Sequence, residues 1–488
     1  MMNLKEVVSS RRPTLLQIII LLTILQLLVT LLTNGFALSF DEAMWHYIGR
    51  NWFRHGMVPY SGGIDNKSPL IFVIFGLSDT LFGVNYWFPR VLATACQSIS
   101  IYYIYKIAKH IAGQQAGMLA ISFFGLSLLW HGTGGRYVAF TETYEVMFIA
   151  IAVYKYLTAQ NKKDVLISGL MAGLGLGFRL SAIFGILTLI ISSLRKSRIY
   201  TVTFCAGVSL SILFLASAGF FAGINLHSFL TYGLADNFGT GSTTDHSLLW
   251  KLENFSDKFF YSEIILFYPL VLAYIFIKRK VDLFILWLVL EFIGINIIGI
   301  YDTVHLKDLL ALLSLMSAFT ITWLVNVHKV PVKPVMVIIW LTFFPKLLEP
   351  LVNIKKILIG GTGPVEKYGI RPYIKPGEGS RKELGLWIKA NTTSQDKVFV
   401  AGFGAQVQAY SERISPTVYF NATQTRIAKE TFFHDMQINK PAMILVPLFS
   451  EYEQLVSADM RQFVNELIQK NYYLYKTMYN YNIYRAKK

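Results

Sequence analysis

Apolar runs of roughly bilayer-spanning length recur down this chain as far as residue 348, and they leave little room for a soluble fold. About eleven such segments lie near 14–33, 88–106, 115–131, 139–157, 164–178, 180–194, 200–222, 262–277, 282–300, 307–327 and 333–348. Of the 488 residues, 54% are hydrophobic and only 15% are charged. Those proportions describe a polytopic α-helical membrane protein. The first run has no small-residue cleavage site before Asp41, so it reads as a retained anchor. The fifth and sixth runs are short and joined tightly around Phe178-Arg179, as two half-depth helices or as a pair with a buried hairpin tip.

A net charge of +16 raises the question of nucleic acid. The cations do not gather on one soluble face. They recur in short loops between apolar runs, where anionic headgroups of the lipid bilayer are the natural partners, and no nucleic-acid partner is expected. The only cysteines, Cys96 and Cys205, lie inside apolar segments and build neither a disulfide framework nor a zinc motif.

Lysine and arginine placement orients the spans. Lys5, Arg11 and Arg12 precede the first; Lys106 and Lys109 follow the second; Lys155, Lys162 and Lys163 the fourth. Arg195, Lys196 and Arg198 follow the sixth, Lys278, Arg279 and Lys280 the eighth, and Lys329 and Lys333 the tenth. All fall on one side, the cytoplasmic one, of a plasma (inner) membrane. The loops 34–87 and 223–261 then lie outside. The first carries an amphipathic stretch, Glu42 to His55, that reads as an interfacial helix. The second centres on Gly239-Thr240-Gly241-Ser242 and reads as a flexible loop able to cover a site.

Near residue 350 the character changes. Residues 1–349 read as the transmembrane catalytic domain and 350–488 as a small α/β domain on the non-cytoplasmic side. Its β-like runs are Lys397 to Ala401, Thr417 to Phe420, Ala442 to Pro447 and Tyr481 to Arg485, and its clearest helices are Arg381 to Ala390 and Ser457 to Lys470. Gly402-Phe403-Gly404 reads as a turn.

An acidic pair, Asp41-Glu42, follows the first span closely, and a charged pair at that edge is expensive without a role. Ser39 to Glu42 also spells a capping box, which is a rigid mount for Asp41. Asp41 has the chemistry to take a proton from a hydroxyl nucleophile. A second acidic site, Glu142 and Glu145, begins the fourth span; the two are three residues apart and share a helix face. Two uses suit it: oxygen ligands for a divalent cation such as Mg or Mn, with Asp41 and Glu142 as ligands, or an ion pair with Arg136. Lys67, Arg90, Arg136, Arg179 and Lys307 are cations expected at the outer membrane edge, and each suits a phosphate. Snorkelling to headgroups explains any single one. His305 and Asp308 complete a polar cluster around Lys307, in which Asp302 and Asp308 serve equally well to neutralise the lysine.

Together these motifs resemble the GT-C superfamily. The acidic pair after span one, the interfacial helix, Gly56 to Tyr60, Asp65-Asn66-Lys67-Ser68-Pro69, Phe82-Gly83 and Arg90 are similar to the protein O-mannosyltransferase and lipid A aminoarabinose transferase branch. The resemblance implies an inverting transfer of a sugar from a polyprenyl-phosphate donor to an extracytoplasmic acceptor. It implies Asp41 as the catalytic acidic position with Glu42 beside it, Glu142 as the second acidic position, and Lys67 on the phosphate side. Arg90, Arg179, His305 and Lys307 are the other expected donor-phosphate contacts. The family motif commonly reads Asp-Lys-Pro-Pro; here Asn66 separates acid from lysine and Ser68 stands where a proline is common. Neither the sugar nor the acceptor is legible. The competing readings are a transporter or flippase for lipid-linked saccharides, and a polysaccharide polymerase. A transporter should carry ionisable residues at mid-membrane and show repeat symmetry, and this chain shows no evident repeat.

Overall fold

A computed structural model describes residues 14–34, 37–130, 138–235, 248–298, 301, 303–329, 331–343, 381–421, 429–448 and 456–487. Eight helices occupy the first part: α1 (Leu15–Asn34), α2 (Phe40–His55), α3 (Leu70–Phe82), α4 (Trp87–Ser127), α5 (Thr141–Leu157), α6 (Lys162–Leu176), α7 (Ala182–Lys196) and α8 (Arg198–Phe221). A short α9 (Leu226–Ser228) runs into a π-helical turn, Phe229–Ala235. Then come α10 (Leu248–Phe260), α11 (Tyr268–Lys278), α12 (Leu283–Ile298), α13 (Lys307–His328) and α14 (Val332–Phe343).

Within the described residues each of the expected apolar segments falls on a helix, although the helices are mostly shorter than a full span. Among the described residues two helices, Arg198–Phe221 and Val304–His328, are long and apolar enough to cross a bilayer, and a bent pair, Leu249–Phe260 with Glu263–Lys278, makes a third if taken as one. The second and third expected segments share α4, which leaves helical geometry at Ala112 and at Gly113, where φ is 86°. Tyr105 lies against Gly117 across that break. In an unbroken helix those two residues would stand about 18 Å apart, so the chain folds back on itself here.

Three local expectations are corrected. Loop 34–87 holds a second helix, α3. At 13 residues it is too short to read as a span, and its apolar first eight residues, Leu70 to Leu77, mask the helical period. It packs on α2 where Gly49 meets Gly76; a Cβ on Gly49 would stand 2.5 Å from the Gly76 backbone nitrogen. Loop 223–261 carries α9, the π turn and α10, while its Gly-Thr-rich centre lies outside the described residues. Thr417 to Phe420 is irregular, because its side chains are consumed in local turns and in packing, with Tyr419 and Phe420 buried.

The C-terminal part contains α15 (Arg381–Asn391), β1 (Val398–Val400), α16 (Ala405–Ser411), α17 (Lys429–Ile438), β2 (Met443–Pro447), α18 (Ala458–Asn471), β3 (Tyr472–Met478) and β4 (Tyr481–Ala486). The sheet order is β1-β2-β4-β3, with β1 and β2 parallel and the other pairs antiparallel. Strand β3 went unread because it follows α18 without a break and most of its side chains are exposed. Tyr479 and Asn480, both at positive φ, make the two-residue β3–β4 turn. Alternation along β1 splits the core: Val398 and Val400 join Leu384, Ile388 and Ile483 on one face, and Phe399 joins Phe432, Met436 and Ile444 on the other. The expected domain boundary near 350 lies outside the described residues.

Candidate active site

Two polar centres flank the first helices. The first is built on the start of α2. Ser39 caps the helix: its Oγ accepts the Glu42 amide at 3.4 Å, and the Glu42 carboxylate takes the Ser39 amide at 2.7 Å. The acidic pair thereby divides its labour. Glu42 is buried and gripped by Arg90, with Nε at 2.8 Å from Oε1 and Nη2 at 2.6 Å from Oε2. Arg90 also donates to the Ala37 carbonyl at 2.7 Å and lies over the Tyr86 ring. A fork-to-fork pair of this kind fixes the angle between α2 and α4. Asp41, in the same first turn, is only half-buried.

The loop from α2 to α3 presents Lys67. Gly56 (φ 66°) closes α2, and Tyr60, itself at φ 69°, donates its hydroxyl to the Lys67 carbonyl at 2.6 Å. Asp65 is buried beneath the loop, where Trp45 Nε1 donates to it at 2.7 Å and the Asn66 amide at 2.8 Å. Burial pushes the Asp65 carboxyl above the usual carboxylate range, and the Lys67 ammonium and these hydrogen bonds partly oppose that. Lys67 Nζ donates to the Asn66 side chain at 3.2 Å, so the residue inserted into the family motif serves as a rest for the lysine.

The second centre gathers at the ends of α5, α6, α7 and α13. Arg179, in the α6–α7 connection, places Nη1 3.3 Å from Glu142 and 3.7 Å from Glu145 and binds the Asp308 carboxylate. Glu142 and Glu145 therefore share a face as expected, and the arginine they meet is Arg179; Arg136 lies outside the described residues. Ser181 donates to Glu145 at 2.7 Å and Thr141 to Glu142 at 3.1 Å. Lys307 donates to Thr143 at 2.6 Å and contacts Gln97 at 3.5 Å. Asp308 reaches away from its neighbour to Arg179, 129 residues distant in sequence. His305 and Lys67 both lie within electrostatic range of Glu142. The loop lysine and the α5 carboxylate, read separately in the sequence, are thus brought together.

Three participants were missed. Glu291, held by Trp287 Nε1 at 2.9 Å, lies within electrostatic range of Arg179 and Asp308. Its signal was present: a carboxylate in the middle of the apolar run 282–300, whose other carboxylate, Asp282, stands at the edge. Gln97 and Thr143 carry no such signal, because neutral polar residues are common in membrane helices. Among the described residues no group of three or more His, Cys, Asp or Glu side chains is arranged to hold a metal ion.

Residues 66–220 match the family described as dolichyl-phosphate-mannose-protein mannosyltransferase. No curated protein sequence matches the chain. Its fold is similar to ArnT from Cupriavidus metallidurans in the apo state, with TM-score 0.61 at 12% identity over 96% of this chain and 97% of that one. The same protein bound to undecaprenyl phosphate gives 0.59 at 12% identity, with the same shares covered. An Archaeoglobus fulgidus oligosaccharyltransferase, in a complex with Zn and sulfate, gives 0.53 at 11% identity over 93% of this chain and 71% of that one. The chain is thus similar to that mannosyltransferase family over residues 66–220, and its fold as a whole is similar to that of ArnT.

Proposed function

We propose that this protein is an integral-membrane glycosyltransferase that moves a sugar, with inversion, from a polyprenyl-phosphate donor to an extracytoplasmic acceptor. The observation that carries the reading is that Lys67, Arg179, and His305 with Lys307, from three separate stretches of chain, all lie within electrostatic range of Glu142. Such a cluster suits a phosphate leaving group. ArnT with undecaprenyl phosphate and an archaeal oligosaccharyltransferase with dolichol-phosphate support a lipid-phosphate donor.

In this reading Asp41 takes the proton of an acceptor hydroxyl as its oxygen attacks the anomeric carbon. The bond from that carbon to the phosphate oxygen breaks, and the lipid phosphate leaves with the electron pair. Lys67 and Lys307 offset the charge on the departing phosphate, while Arg179 keeps Glu142, Glu145 and Asp308 together. Inversion needs one base and no covalent nucleophile. The apolar helices hold the polyprenyl tail, and the active site and the α/β domain face outward from the inner membrane.

A divalent cation, Mg or Mn, at Asp41 and Glu142 belongs to the same proposal. Glu142 already faces Arg179, so such an ion would draw most of its oxygen ligands from the donor phosphate and water. Chelation followed by Mg or Mn add-back tests it: turnover lost and restored supports the ion, and unchanged turnover removes it.

The function is tested by incubating purified wild type and Asp41→Asn with a mixture of polyprenyl-phosphate sugars and following each donor by mass spectrometry. Donor consumption by wild type alone supports the transfer and the base. Transport of the lipid across liposomes without consumption would replace the enzyme with a flippase.

A further inference from the structure

The α2 helix is held by the far end of the chain. Leu38 stands immediately before the Ser39 cap, three residues ahead of Asp41. Its amide donates to the Tyr410 hydroxyl at 2.8 Å, and its carbonyl accepts from Gln406 Nε2 at 2.9 Å. Both backbone groups of one residue are therefore taken by side chains of α16. At the other end of α2 the buried Arg50 donates through Nη1 to the Ala409 carbonyl at 2.7 Å and through Nη2 to the Gln408 carbonyl at 3.0 Å. Those are last-turn carbonyls, of which Gln408's also accepts from the Ser411 hydroxyl at 3.3 Å, and a guanidinium there is favoured by both geometry and dipole. Between the two ends the Tyr47 hydroxyl accepts the Ser415 amide at 2.9 Å, and the Tyr47 and Phe420 rings lie 4.2 Å apart. The α16 helix is itself tied to the sheet, since Gln408 Nε2 donates to the Val398 carbonyl at 2.6 Å.

We propose that α16 is a positioning element for the catalytic centre, with Tyr410 and Gln406 as positioning residues that set Asp41 through Leu38. This rests on the reading of Asp41 as the base. A helix start is the place where such control is effective. The cap and its first turn move as one body about the residue before them, and Leu38 is that residue. A base must lie within hydrogen-bond reach of the acceptor hydroxyl, and a displacement of about 1 Å at a reacting group costs on the order of a hundredfold in rate. A C-terminal domain that only gripped the membrane unit or collected acceptor would not need to bind both backbone groups of Leu38.

The test uses the full-length protein with Tyr410→Phe, which keeps the ring and removes the one acceptor of the Leu38 amide, and with Gln406→Ala as an independent second variant. Amide hydrogen exchange should quicken by about tenfold or more across residues 38–42 and stay unchanged in α5 and α13. In the donor-consumption assay kcat per folded enzyme should fall by about tenfold or more, with KM for the donor lipid within about twofold of wild type. Unchanged exchange at 38–42 in both variants, or quickened exchange with full kcat, would overturn the proposal. A protein that consumes no donor even as wild type counts against the transferase reading, and the exchange limb still decides whether α16 holds the start of α2.

Discussion

Trp45 Nε1 and the buried carboxylate of Asp65 are joined by a 2.7 Å hydrogen bond, so α2 and the loop that presents Lys67 move as one body. The indole is fully buried, and its ring packs edge-on against Phe75 and Phe140, leaving it no freedom to follow a displaced loop.

Trp45→Phe keeps the packing and removes the donor. It leaves a buried carboxylate short of a partner, at about 1–3 kcal/mol of stability. The expected outcome is a lower unfolding temperature together with about a tenfold fall in kcat/KM, read by thermal unfolding in detergent and donor-consumption kinetics. A normal kcat/KM would show that the loop needs no tether.

The acidic pair should separate by phenotype. Glu42→Gln breaks a buried ion pair and leaves the Arg90 charge without its counter-ion, which costs about 3–5 kcal/mol and should appear as poor folding. Asp41→Asn should fold normally and lose turnover by about 10²- to 10⁴-fold. The comparison needs an unfolding temperature and a turnover number for each variant. Turnover close to wild type in Asp41→Asn would remove it as the base.

Lys67→Ala should weaken donor handling. The loop backbone is held by Tyr60, Asp65 and Trp45, so the loss is confined to the ammonium. About a tenfold rise in the donor dissociation constant is expected, from one charge-assisted contact to phosphate. A titration with donor lipid measures it, and unchanged affinity and turnover would take Lys67 out of the site.

His46 predicts a pH dependence of stability. It lies 3.4 Å from Asp79, yet burial, aided by Arg50 and Arg54, pushes its pKa from 6.5 to about 3. Between those values the unfolded chain binds a proton that the folded protein refuses. Stability therefore rises with pH across that window and is lost as pH falls from 6.5 towards 3, by up to about 1.4 kcal/mol per pH unit. His46→Gln should flatten unfolding temperature against pH between 6.5 and 4 in detergent; an unaltered slope would assign the acid sensitivity elsewhere.

Much of the fold was legible because its signals are local. Apolar length located the helices, the Ser39 and Glu42 spacing located a cap that the structure contains, and alternation found three of the four strands. The cation cluster was legible as a set of residue types at helix ends. Its pairing was not, since Arg179 could as well have met headgroups as Glu142, Glu145 and Asp308, and only the bundle decides. Helix α3 was hidden by its shortness and its apolar first half, and β3 by its exposure. The contacts of Arg50, Tyr410 and Gln406 leave no trace in the sequence. They join residues 358 to 372 positions apart, and all three end on backbone atoms that any residue would supply.

Those same separations set a schedule. The start of α2 emerges early in synthesis, but the side chains that hold Leu38 are made only once residue 410 has been reached. Closing a loop of that length is slow and comes late in folding. An incomplete chain can insert its first helices and still lack a fixed first turn of α2. On the proposed roles of Asp41 and α16, activity is thereby tied to completion of the polypeptide, and a prematurely ended product would insert without transferring sugar.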